Sequence, residues 1–333
     1  ASGGLRGAVT YTFRGRVVPP PLAAHDFALI ALLFMAMSKG LDIHVRGSVS
    51  RTLLAHLEEF QDAWCAWRPR AYGKIRITAD TETESGPAGD GTAVLAYSGG
   101  VDANFSLLRH ARGGAGRQRQ EIAAAAFING LDIPAERTAL CEEAVANARV
   151  TLAEFGLPLT VIESDWKRTA CTDWAMEYFA GIASCLYQFA GLLSVGLVGN
   201  CVDYRDMTWP WGSNPVTNAL LDSGGFRMVT DGAGSTRCDK VAVIARYPWV
   251  RDRLRVCWWG PHHGTTGANC GRCEKCLRTK LAFLCHGVDP GPALPANHTL
   301  ADIVCIGLRI RTPIAELRQI LATARRNRIR APW

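Results

Sequence analysis

The sequence predicts an α/β fold built on a parallel sheet, and three observations point to it. From about residue 93 to 250, short apolar runs alternate with amphipathic stretches, as the strands and crossover helices of a parallel sheet do. The first run, Ala93 to Tyr97, passes directly into Ser98-Gly99-Gly100-Val101-Asp102 and then into helical apolar spacing at Phe105, Leu107 and Leu108. Farther on, Cys257 and the run Cys270-Gly271-Arg272-Cys273-Glu274-Lys275-Cys276 have the spacing of metal ligands. The expected organisation is a small α/β unit over residues 1–90, a parallel-sheet domain over 91–256, and a cysteine knuckle with a helical tail over 257–333.

Composition narrows the class. A chain of 333 residues that is 48% hydrophobic can bury a full core and divide into more than one unit. Its longest apolar run, Phe27 to Met37, is far shorter than the roughly 20 residues a bilayer requires, and no stretch resembles a signal peptide. Twelve cysteines in a chain of this size, three of them in one tight cluster, point to metal and a reducing cytoplasm rather than a disulfide framework. The net charge of +7 suits a polyanionic ligand but is spread thinly, so nucleic-acid binding is permitted rather than indicated.

Taken in order, Ala8 to Arg14 alternates as a strand and Val17 to Leu22 carries a proline-rich turn. Phe27 to Met37 reads as a helix, Asp42 to Arg46 as a strand, Thr52 to Trp67 as an amphipathic helix and Lys74 to Asp80 as a strand. Thr81 to Gly91 is a polar linker. After the central turn come a strand at Glu121 to Ile128, a helix from Pro134 to Glu154, a strand at Leu159 to Glu163, a long helix at Thr172 to Gly191 and a strand at Leu193 to Val198. Ligands of open α/β sheets bind beyond the C-terminal strand ends. The tips at 98–102, 128–132, 163–168 and 199–203 are therefore expected to line one cleft. Residues 204–240 read as irregular, with Trp209 and Trp211 either in a lid that stacks on a planar substrate or pinning the loop as buried aromatics. Pro313 to Ala324 reads as an amphipathic helix, followed by a basic end at Arg325-Arg326-Asn327-Arg328 that is a solvated terminus or an RNA contact.

A strand, a small-residue turn and a helix N-terminus make an anion site, because glycines admit close approach of backbone N–H groups and the helix dipole favours negative charge. Ser98 adds a hydroxyl, and Asp102 is placed to hold a phosphate-bound Mg²⁺. SGGVD after an apolar strand resembles the SGGxDS signature of the PP-loop ATP pyrophosphatases, with Ala103 where the signature ends in Ser. That resemblance implies an adenine nucleotide alpha hydrolase-like, Rossmann-like domain that cleaves ATP to AMP and pyrophosphate while adenylating a substrate oxygen. It implies ATP on Ser98, Gly99, Gly100, Val101 and Asp102, with Ile128, Asn129 and Gly199 cradling the adenine. It further implies that Lys240 opens a late helix facing the phosphates, with Arg237 and Asp231 nearby.

Four soft ligands in a tetrahedron suit Zn²⁺, and a CxxCxxC knuckle plus the remote Cys257 supplies them. An iron–sulfur cluster would also take four thiolates, and His262 or His263 could replace Cys257. The pattern C-x12-C-x2-C-x2-C after a PP-loop domain resembles 7-cyano-7-deazaguanine synthase-like proteins across about residues 92 to 285. The resemblance implies activation of a small-molecule carboxylate or amide oxygen for attack by a nitrogen nucleophile, either ammonia or an amine. A sulfur donor is the rival, with Cys201 as the carrier candidate and Cys171 and Cys238 behind it. A nucleotide-binding protein that has lost catalysis is the third reading, resting on Ala103. RNA modification, with residues 1–90 as the RNA-binding unit, ranks below these, and the oligomeric state is open, a homodimer included.

Overall fold

A computed structural model describes residues 7–84, 90–207, 209–257, 268–295, 300–304 and 311–330. The strands are β1 (Tyr11–Arg14), β2 (Ile43–Ser50), β3 (Ile77–Thr83), β4 (Ala93–Ala96), β5 (Ile122–Asn129), β6 (Leu159–Ser164), β7 (Val195–Gly199) and β8 (Arg227–Asp231). The helices are α1 (Asp26–Lys39), α2 (Arg51–Trp67), α3 (Val101–Ala111), α4 (Thr138–Ala153), α5 (Trp166–Thr169), α6 (Trp174–Leu186), α7 (Pro215–Asn218), α8 (Arg237–Ile244), α9 (Pro248–Arg251), α10 (Glu274–Leu284), α11 (Leu300–Val304) and α12 (Arg311–Arg326). The fold is α/β, as expected, and none of its described helices is long and apolar enough to cross a membrane.

Six strands form the central sheet in the order β1-β6-β5-β4-β7-β8, all parallel except the edge strand β1. Both faces are covered, which is why its strands read as continuous apolar runs rather than alternating ones. Val94, Ala124, Ala126 and Ile162 pack into the core with α1, α2 and α6, whereas Leu95, Ala125, Phe127 and Val161 pack on the opposite face with α3 and α4. A third apolar cluster joins α8, α10 and α12 around Val241, Leu281 and Ile320. The chain order reverses between β4 and β7, so the sheet has its switch point where the SGGVD turn leaves β4.

Several elements differ from expectation. Residues 7–84 are not packed apart from the sheet, because β1 pairs antiparallel with β6 and residues of α1 and α2 share one core with Val94. The paired strands β2 and β3 form a separate parallel ribbon joined through α2. The helix expected from Pro134 begins at Thr138, since Gly130 N–H bonds Ile133 O and the buried Ile133 holds the chain in a turn first. The stretch read as irregular contains β8, a five-residue edge strand between Gly224 and Gly232, too short and too closely bracketed by glycines to stand out.

The switch point needs a close approach. A Cβ on Gly199, at the end of β7, would lie 2.5 Å from the carbonyl oxygen and 2.7 Å from the carbonyl carbon of Asp102 in the first turn of α3. Gly199→Ala is therefore expected to push the SGGVD turn off β7 and cost about 1–3 kcal/mol, the usual penalty of overpacking, read as a lower urea midpoint.

Candidate functional site

The SGGVD turn is shaped by a side chain outside the motif. Asn104 is buried, accepts a hydrogen bond from the Tyr97 hydroxyl at 2.7 Å, and donates to Gly99 O at 2.9 Å and Gly100 O at 3.0 Å. It draws both carbonyls inward. Gly99, at φ +76°, takes the left-handed backbone this turn demands. Gly100 is the N-cap of α3, so the first N–H groups of that helix have no carbonyl partner within it.

Asp102 lies in this first helical turn. Its Oδ1 accepts from Lys240 Nζ at 2.7 Å, and its Oδ2 is 3.7 Å from Arg237 Nη2. Burial raises the Asp102 carboxyl, but Lys240 and Arg237 more than offset it and leave the pKa below the ordinary carboxylate value. Thr236 caps α8 in a reciprocal box with Asp239, which starts the helix at Arg237 rather than at Lys240. Lys240 is fully buried, and its ammonium also bonds Asn200 O, beyond the end of β7. Arg237 is buried too, pairs through Nε with Glu316 at 2.9 Å, and leaves Nη1 with no hydrogen-bond partner.

A cavity of about 680 Å³ opens beyond the C-terminal strand ends. Ser98, Asp102, Ile128, Gly199 and Arg237 line it, so five of the sequence-predicted residues meet there. Gly100 and Val101 face a small adjoining chamber together with Asp102 and Arg237. Lys240 and Asn129 line neither space, since Lys240 sits behind Asp102 and the Asn129 amide oxygen accepts from Gly130 N at 3.0 Å. Three of the four expected strand tips contribute, and the tip at 163–168 does not. There Trp166 turns into the core, donating to Ala31 O at 2.7 Å and packing over Gly181, where a Cβ would collide with its ring.

The irregular loop also resolves. Trp211 lines the cavity, edge-on to Tyr178 at 6.2 Å, whereas Trp209 is 42% exposed and packs on Trp67. Asn214 bonds Trp211 O and caps α7, and Asn218 ties Ser213 to Thr230 of β8, so residues 211–218 form a pinned loop. Asp231 points away from the cavity into a buried network with Ser106, Arg109 and His110. Cys201 lines the cavity with Sγ 3.3 Å from the Tyr178 hydroxyl. Cys238 is buried against Cys285 instead, and the thiol of Cys171, outside the cavity lining, is pushed up to about 12 by burial and Glu177.

The four expected cysteines come together. The Sγ atoms of Cys257, Cys270, Cys273 and Cys276 all lie within 4.8 Å of one another, with Cys257–Cys273 at 3.7 Å and Cys270–Cys276 at 4.0 Å. A tetrahedron of thiolates at about 2.3 Å from one metal has edges of nearly this length, so the group could hold a single ion such as zinc. An iron–sulfur cluster spreads its thiolates over several irons and fits this compact set less well. His262 and His263 lie outside the described residues. Gly271 at φ +74° makes the knuckle's turn, and Lys280 donates to its carbonyl at 2.7 Å. Asn269 does the joining: its Oδ1 accepts from Val256 N at 2.7 Å and Cys257 N at 2.9 Å, and its Nδ2 donates to Leu254 O and Ala293 O, both at 2.7 Å.

Sequence reasoning missed Asn104, Asn269, Arg255, Lys275, Arg278 and Glu316. The last four line the cavity. Arg255 and Lys275 sit within two residues of the clustered cysteines, and that adjacency was the available signal. Glu316 gave none, because it arrives from α12 and takes Arg237 and Arg278 as partners from α8 and α10. Arg325 and Arg326 are exposed. No family model, curated protein or solved structure matches this chain.

Two outcomes are expected. Asp102 has a depressed pKa, so its contribution is fully present above the ordinary value of about 3.9 and is lost as pH falls through the lower folded value. Lys240→Met should cost about 3–5 kcal/mol at pH 7, because it strands a buried carboxylate, and this deficit should shrink as pH falls and that carboxylate takes up a proton. Urea titrations at pH 7 and an acid titration of both proteins measure this. Separately, Cys273→Ser should lose the metal, and Asn269→Ala, with all four thiols intact, should hold zinc about 10–100-fold more weakly in competition with a chromophoric chelator.

Proposed function

We propose that the protein is a PP-loop ATP pyrophosphatase that adenylates a carboxylate or amide oxygen of a small molecule for attack by a nitrogen nucleophile. The observation that carries this reading is the SGGVD turn at the sheet's switch point, opening into a 680 Å³ cavity whose wall holds Asp102, Arg237 and Arg255. The fit to a nucleotide rests on the donor set: unpaired N–H groups of α3, the Arg237 Nη1 left without a partner, and Asp102 as the carboxylate for a Mg²⁺ carried by the nucleotide. The apolar side of the same cavity, with Ala126, Phe127, Ile128 and Leu131, suits a planar base.

In this reading the substrate oxygen attacks the α-phosphorus, the bond to the bridging oxygen breaks, and pyrophosphate leaves with its charge balanced by arginine and the α3 N-terminus. The nitrogen nucleophile then attacks the activated carbon and AMP departs. Lys240 acts on this chemistry through Asp102, whose carboxylate it holds in position. One observation favours a second reading, sulfur transfer: Cys201 lines the cavity beside Tyr178.

Calorimetry with the non-hydrolysable analogue AMPCPP and Mg²⁺ tests the proposal on the metal-loaded protein. Saturable binding that Asp102→Ala weakens is expected, followed by AMP and pyrophosphate release with candidate carboxylates. Binding without any turnover would leave a nucleotide-binding protein, and no binding by the folded protein sinks the reading. Loss of turnover in Cys201→Ser would shift it to sulfur.

A further inference from the structure

The cysteine centre and the cavity share a strand of backbone. Residues 254–257 run between them: Asn269 clamps Leu254, Val256 and Cys257 to the knuckle, while Arg255 N donates to Gly99 O at 2.9 Å on the other side. Arg255 therefore enters the cavity directly over the SGGVD turn, its Cβ 3.7 Å from where a Gly99 Cβ would be. Its Nε and Nη2 are out of solvent and have no hydrogen-bond partner, and no ion pair is formed by Arg255 among the described residues. The acid that acts on it most strongly is Asp132, which lines the same chamber. Lys275, between the ligands Cys273 and Cys276, faces this chamber as well.

A guanidinium with two buried, unsatisfied N–H groups is costly to keep unless an acceptor arrives. Arg237, itself buried with Nη1 unpartnered, lines the chamber from α8. The chamber is thus walled by three cations, the carboxylates Asp102 and Asp132, and the α3 N-terminus, with Ser98 at its edge, and Asp102 is already held by Lys240.

We infer that Arg255 and Lys275 form, with Arg237, a binding subsite for a polyphosphate group, and that the cysteine-bound metal builds this subsite by holding residues 254–257 against the SGGVD turn. The assignment of the polyphosphate to a nucleotide rests on the function proposed above, but the subsite itself rests on the chamber. Zinc binding and anion binding are then coupled, and the coupling is reciprocal: whatever the metal adds to anion affinity, the anion adds to metal affinity.

The test uses the full, zinc-loaded chain with two probes, inorganic pyrophosphate and AMPCPP, each with excess Mg²⁺. Native protein should bind both. Arg255→Met, with its zinc content verified as unchanged, should bind both about tenfold to a hundredfold more weakly, the effect of losing hydrogen bonds to a charged group. Lys275→Met should weaken both in the same direction. AMPCPP should slow zinc loss to a chelator in the native protein and not in Arg255→Met, which controls for anion–zinc binding in solution. Arg255→Met binding pyrophosphate within twofold of native overturns the inference and leaves the nucleotide reading standing if AMPCPP still binds. Pyrophosphate binding that depends on Arg255, with no AMPCPP binding, upholds the subsite and rejects the nucleotide. Failure of both probes on folded native protein overturns both.

Discussion

One ammonium group organises the centre of this molecule. Lys240 is fully buried, and a buried charge persists only where partners replace its water. Its two partners come from different elements: Asp102 in the first turn of α3 and the Asn200 carbonyl just past β7. Satisfying Lys240 therefore joins α8 to the SGGVD turn and to the strand end across the switch point. Gly199 lets that junction close, since any larger residue would meet the Asp102 carbonyl. Asp231 reinforces it from beneath, where its backbone carbonyl bonds Asn200 N at 2.7 Å while Arg109 pairs with its carboxylate and Ser106 donates to it.

The cysteine knuckle enters the same arrangement from the opposite side. One link is an asparagine that spends all its hydrogen-bonding capacity on backbone. Asn269 accepts two N–H bonds and donates two to carbonyls, so the segment bearing Cys257 is tied to the knuckle even before a metal is considered. A metal bound by the four thiolates would close the same loop through sulfur. Two of the thiolates' surroundings are basic, with Lys280 bonded to the Gly271 carbonyl and Arg272 alongside, which suits a site that gathers negative charge.

How far the sequence foretold this depends on the range of the interaction. The alternation of strand and helix from 93 onward, the SGGVD turn and the four cysteines are local patterns, and each appears where periodicity and spacing put it. Shared features escaped. β1 reads as a member of an N-terminal unit because nothing in Tyr11–Arg14 announces its antiparallel partner some 150 residues away in β6. Lys240 reads as facing the phosphates because its resemblance and its helix were legible but its burial was not. Glu316 was invisible for a plainer reason: an acidic residue on an amphipathic tail helix is ordinarily solvated, and only the tertiary docking of α12, through Gln319 to Asp203 at 2.7 Å, brings it to Arg237 and Arg278.

The distribution of charge along the cavity wall has a direction. Glu316 is shared by Arg237 and Arg278, Glu274 is paired with Arg278 at 2.8 Å, and Asp102 with Lys240, so most of the wall's charges cancel among themselves. Arg255 and Lys275 form no ion pair among the described residues, and both lie at the end that abuts the SGGVD turn and the knuckle. The opposite reach of the cavity, from Ile128 and Leu131 to Trp174, Tyr178 and Ile182, is apolar and aromatic. Lys167 closes it from outside, donating to Leu131 O at 2.7 Å with its ammonium 4.0 Å over the Trp174 ring. Such a wall has a polarity, with Arg255 and Lys275 facing Asp132 at the turn and hydrocarbon and aromatic rings at the far end. An anionic group is better accommodated at the turn, because the other end would strand it on hydrocarbon.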